Sequence, residues 1–199
     1  MIEFRATVAI VRRHIDRRFG IDFAMAAALV ALLAFVFAPS FDAAALPVLA
    51  TLAAASIVEV SHIRSLRRLT FFTVPLFGRQ LARAHAIAPA IGALALPLGY
   101  AVGARLRGVA IPPERIAVAT CVVLVATLVA LSATFRDGRD RALYVALAIA
   151  AGVSIAAAWQ AKTTNPLAVA GGLAVVEGSF AVRAFGETLA RYDPLPNEA

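Results

Sequence analysis

Apolar residues run along this chain in blocks of about 18 to 20, separated by short polar segments that carry most of the charge. The hydrocarbon core of a bilayer takes about 20 residues of helix, with about 17 to 25 accepted. Six blocks meet that length: residues 21–38, 43–60, 86–104, 116–135, 142–159 and 166–185. The pattern predicts an all-α, polytopic integral membrane protein, residues 1–199 forming a single membrane domain with six transmembrane helices. Pro39-Ser40-Phe41-Asp42 reads as a tight turn between the first two spans. Tyr144 and Trp159 bracket the fifth span, about 15 residues or roughly 22 Å apart along a helix, as interfacial aromatic anchors do.

Residues 1–20 carry a different pattern. Phe4, Val8, Val11, Ile15 and Phe19 recur at helical spacing and form one apolar stripe, while Arg5, Arg12, Arg13, Asp16 and Arg17 occupy the other faces. This predicts an amphipathic helix lying on the membrane surface, its arginines near anionic headgroups. The apolar block that follows is long enough to span, so these residues do not read as a signal peptide.

The central segment, residues 61–85 (SHIRSLRRLTFFTVPLFGRQLARAH), interrupts the blocks with Arg64, Arg67, Arg68, Arg79 and Arg83. It is too charged to lie in a bilayer and too rich in Leu, Phe and Val for a solvated linker. Leu66, Leu69, Phe72 and Val74 give a basic first helix an apolar side. Pro75 pushes Val74 out of the α region and Gly78 completes a short turn. A second helix then starts at Arg79 and runs on into the membrane. A short amphipathic helix wedged between two spans is suited to receive force from a cytoplasmic partner. A basic interfacial loop that only fixes topology fits the same spacing.

The run from Pro75, Leu76, Phe77, Gly78, Arg79 and Gln80 to His85 resembles the segment between the second and third spanning helices of type-2 ABC exporter permeases. In that family a basic helix is followed by a Leu-Pro-Leu-Ser-like turn and by a stretch similar to Arg-Gln-Leu-x-x-Ala-Lys. This chain has Phe77 and Gly78 where the family has Ser and a polar residue, and His85 in place of Lys. The resemblance implies that Arg64, Arg67, Arg68, Phe72, Pro75, Leu76, Phe77, Arg79 and Gln80 belong to a coupling helix that docks on a separate ATP-binding subunit. It further implies a second permease protomer and a second ATPase subunit, with ATP bound by the partner and no cofactor in this chain.

Charge fixes the expected orientation. With the N-terminus inside, fifteen of the nineteen basic residues are cytoplasmic, and Arg105, Arg107, Arg115 and Lys162 are the four outside. Both termini are then cytoplasmic, in a multi-pass protein of the cytoplasmic membrane. Composition agrees: 61% of residues are hydrophobic and 16% charged, against about 25% charged in soluble chains. The net charge of +7 lies between apolar blocks, where topology demands it, so nucleic acid is not an expected partner. Cys121 is the single cysteine, which excludes an intramolecular disulfide and a CxxC site. No phosphate-binding loop, HExxH or Gly-x-Ser-x-Gly occurs, and His14, His62 and His85 read as interfacial, so no catalytic residue or metal site is expected.

Inside the spans, Ala88, Gly92, Ala95, Gly99 and Gly103 form a small-residue stripe, and Ala170, Ala174, Gly178 and Ala181 form another. Such stripes allow close helix approach, either within one bundle or between protomers. Pro89 and Pro97 predict kinks in the third span. Glu59, at the cytoplasmic end of the second span, reads as a partner for nearby arginines or as a pathway residue. Glu177 lies about 11 residues, roughly 16 Å, into the sixth span. A charge there must be paired, protonated or hydrated, which makes it a translocation-pathway candidate. Arg183, roughly 120° away around the helix, is a poor partner for it. A hydrogen bond from protonated Glu177 to Thr120, Thr127 or another polar side chain is the structural alternative.

Taken together, the sequence predicts the permease subunit of an ATP-driven ABC exporter that does no chemistry itself. The alternative is a small secondary transporter using Glu177 as a proton-coupling carboxylate, or an accessory subunit of a membrane complex. An inverted repeat would favour the former, but the long inner segment after the second span has no counterpart after the fifth.

Overall fold

The computed structural model describes residues 2–15, 17–37, 78–134, 138–161 and 164–191. Among these, regular structure is entirely helical: α1 Ile2–His14, α2 Arg17–Phe37, α3 Gly78–Ala93, α4 Ala95–Leu106, α5 Pro113–Thr134, α6 Gly138–Gln160 and α7 Pro166–Arg191. Five stretches are long and apolar enough to cross a membrane: Phe19–Phe37, Ala86–Leu106, Pro113–Ala133, Arg139–Gln160 and Pro166–Thr188. They match the first, third, fourth, fifth and sixth expected spans. The expected second span, residues 43–60, and the coupling segment up to residue 77 lie outside the described residues.

The helix ends follow from local chemistry. Pro113 opens α5 with Glu114 in its first turn, so the missing proline N–H removes an orphan donor and the acid meets the positive end of the helix dipole. Asn165 caps α7, its Oδ1 accepting from Ala168 N at 3.1 Å, and Pro166 takes the first helical position. At the end of α4, Gly108 adopts φ 81°. Gly108 N then donates to Arg105 O at 3.0 Å and Val109 N to Ala104 O at 2.9 Å, the paired bonds of a Schellman cap.

One expectation is corrected here. The first twenty residues do not form one interfacial helix: α1 ends at His14 and residues 17–20 already belong to the spanning helix α2. Asp16, between them, lies outside the described residues. The stripe is accordingly split. Phe4, Val8 and Ile15 are exposed, Phe19 is buried on α2, and Ile10, roughly 130° around α1 from the stripe, is the buried residue. α1 packs on α3. The third span carries the kink that its prolines predict: α3 and α4 meet at Leu94, whose backbone stays in the α region with φ −63° and ψ −16°. Pro97 has no N–H for Ala93 O and its ring crowds that carbonyl. The chain tightens instead, with Leu94 N donating to Ile91 O at 3.1 Å. Pro89 sits buried inside α3 without ending it.

α5 is the central helix. On one side Val118, Val122, Val125 and Val129 pack with Ala148 and Ile155 of α6 and Ala170 and Ala181 of α7. On the other, Val123 and Ala126 pack with Val30 and Ala34 of α2 and Leu96 and Tyr100 of α4. Large apolar side chains cover the outer surface, among them Met25, Leu29 and Leu32 on α2 and Val175, Val176 and Phe180 on α7. Such a surface is stable against lipid, not water.

Candidate functional site

The polar chemistry within the spans converges on Glu177. It stands eleven residues from each end of the span Pro166–Thr188, which puts it at mid-membrane. It shares the packed face of α7 with Ala170 and Ala181, both buried. Ser154 of α6 meets it there, with Oγ 2.6 Å from Glu177 Oε1. The same Oγ lies 2.9 Å from Ala151 O. Glu177 Oε2 is buried with no hydrogen-bond partner, as are Thr127 Oγ1 and Ser132 Oγ on α5. Thr120 donates to Ile116 O at 2.8 Å within its own helix. The partner of Glu177 is therefore Ser154, not Thr120 or Thr127. Arg183 does not reach it and pairs with Glu187 at 3.0 Å on the exposed side of α7.

Gly178, the next residue, faces α5: a Cβ on it would lie 3.7 Å from Val125 Cγ2, an ordinary contact. Gly99 and Gly103 are in a different situation. A Cβ on Gly99 would stand 3.1 Å from Ala27 Cα, and one on Gly103 would stand 2.8 Å from Ala31 Cα, each with a carbonyl oxygen closer still. These two glycines hold α4 against α2 within one chain. Gly92 is buried on α3. Because Gly99 meets Ala27 and Gly103 meets Ala31, the two helices run parallel. Their C-terminal ends are joined by Arg107, whose Nη1 donates to Phe35 O at 2.6 Å and Val36 O at 2.7 Å.

Of the expected coupling residues, Arg79 and Gln80 fall in the first turn of α3, where the backbone alone is described. Arg64, Arg67, Arg68, Phe72, Pro75, Leu76 and Phe77, and the pathway candidate Glu59, lie outside the described residues. Sequence reasoning missed Ser154 and the bridging role of Arg107. Ser154 is one small polar residue in an alanine-rich helix, and no spacing rule within that helix says which neighbour it meets. No family model, curated protein or solved structure matches this chain.

Proposed function

We propose that this chain is the membrane-embedded permease subunit of an ATP-driven ABC exporter, paired with a second permease and with separate ATP-binding subunits. The observation that carries this reading is the course of α3. It starts at Gly78, directly after the basic segment, and continues without interruption to Ala93. Along the way it packs against α1, α5 and α7. A displacement applied to residues 61–77 would pass along a rigid helix to the kink at Leu94, and so to the bundle that holds Glu177. The resemblance of Pro75–His85 to the coupling segment of exporter permeases points to an ATP-binding subunit as the partner that would apply it.

The parallel run of α2 and α4 supports a sixth crossing. α2 ends at the face where α4 ends, whereas α3 begins at the opposite one, which agrees with the sixth crossing proposed for residues 43–60. Residues 43–60, if helical, supply about 27 Å for that crossing. The basic segment then lies on the same side as α1 and the end of α7, the side that the arginine excess marks as cytoplasmic.

Charge reversal at Arg67 and Arg68, or replacement of Phe72 or Phe77 by Asp, is the test. Each variant should insert in the membrane, because Arg79 and Arg83 keep the charge bias. Each should lose co-purification with the ATP-binding subunit. Retained binding in every variant would reject the coupling role and leave a secondary transporter or an accessory subunit.

A further inference from the structure

We propose that Glu177 and Ser154 form a proton-binding site at mid-membrane, in which the carboxyl group holds the proton and donates it to the serine. A hydroxyl has one proton and two lone pairs. Ser154 Oγ has two acceptors in reach, Ala151 O at 2.9 Å and Glu177 Oε1 at 2.6 Å. Ala151 O lies inside α6 and already accepts its helical backbone bond, so an ionised Glu177 could accept the serine's hydrogen bond without leaving that carbonyl bare. With the proton on Glu177 Oε1, the acid donates to Ser154 Oγ and the serine donates to Ala151 O. The other oxygen decides between the two. Oε2 is buried without a partner. As half of a carboxylate it would carry charge with no donor, whereas as the carbonyl of a neutral acid it leaves a far smaller deficit. The site is also eleven residues from either end of its span, where an unpaired charge is most costly.

Among the residues whose side chains are described, no cation pairs with Glu177. α7 packs against α3, α5 and α6. On α7 itself Arg183 is engaged by Glu187. On α6 the titratable groups are Arg139, Asp140, Arg141 and Tyr144, all at least ten residues from Ser154. On α5 they are Glu114 and Arg115 in the first turn, and Cys121. On α3 they are Arg79, Arg83 and His85, in the first turns. Glu177 is itself half-buried, and the neighbouring Val175, Val176 and Phe180 face outward. The inference rests on the chain crossing a membrane and not on its having an ATPase partner.

The experiment uses the full chain reconstituted in lipid. The infrared difference spectrum between the wild type and Glu177→Gln at neutral pH should contain the carbonyl band of a protonated acid. A difference confined to carboxylate bands overturns the proposal. Ser154→Ala removes the acceptor and should move the acid band; an unmoved band overturns the pairing. A second measurement needs no variant. Dicyclohexylcarbodiimide takes the proton of a carboxylic acid and adds the carboxyl oxygen to its central carbon, with nothing leaving. Peptide mapping should find the adduct on Glu177, and a water-soluble carbodiimide should leave that residue unmodified. An apolar adduct found on interfacial acids alone overturns the site.

Discussion

Arg107 follows the last residue of α4, and the left-handed Gly108 behind it turns the chain so that the guanidinium reaches the end of α2. There one nitrogen serves the carbonyls of Phe35 and Val36, in the last turn of α2. A cation at a helix C-terminus is worth about 0.3–1 kcal/mol. Arg107→Ala should therefore destabilise the fold by that order, read as a lower melting temperature in detergent. Arg107→Lys should fall between the two, since its ammonium keeps the charge and several donors. An unchanged melting temperature for the alanine variant would remove the bridge from the stabilising contacts. In the sequence Arg107 reads only as one of four basic residues on the outer side, against the charge bias. Its role needs the knowledge that α2 and α4 end at the same face, which no local pattern contains. Glu177 is the converse case: a carboxylate deep in an apolar block announces itself by its cost, though its serine partner does not.

At the scale of elements, helix existence was legible and helix ends were less so. Hydropathy places the fourth and fifth spans at residues 116 and 142, whereas α5 begins at Pro113 and α6 at Gly138. The sixth is placed to end at residue 185, whereas α7 runs to Arg191. Apolar blocks measure the hydrocarbon layer, and helices continue past it into charged turns. The kink at Leu94 was legible, because Pro97 forbids one backbone bond wherever it falls in a helix. The small-residue stripes were legible as stripes, but not as to which helix each one meets. They differ sharply in tolerance. Gly103→Ala places its new carbon against the backbone of Ala31, so α4 and α2 must separate, and overpacking of this kind costs about 1–3 kcal/mol. Gly178→Ala gains only an ordinary contact with Val125 and should be near neutral. Melting temperatures of the two variants, measured side by side in detergent, should differ clearly; equal losses would contradict the parallel packing of α2 and α4.

For the whole molecule, the consequence of that packing is topological. Two consecutive described spans point the same way, while α5, α6 and α7 alternate in short-linked succession. An even number of crossings, with both ends on one side, follows if residues 38–77 return across the layer. The basic segment then faces the compartment where a nucleotide-binding partner would be found, which the functional proposal requires. Cysteine accessibility tests this most directly. In a Cys121→Ala background, single cysteines at Ser40 and Thr164 should react with an impermeant thiol reagent in intact cells, and cysteines at Ser61 and Gly138 should react only after the cells are opened. Labelling of the Ser61 cysteine in intact cells would put the basic segment outside and contradict both the sixth crossing and the coupling role.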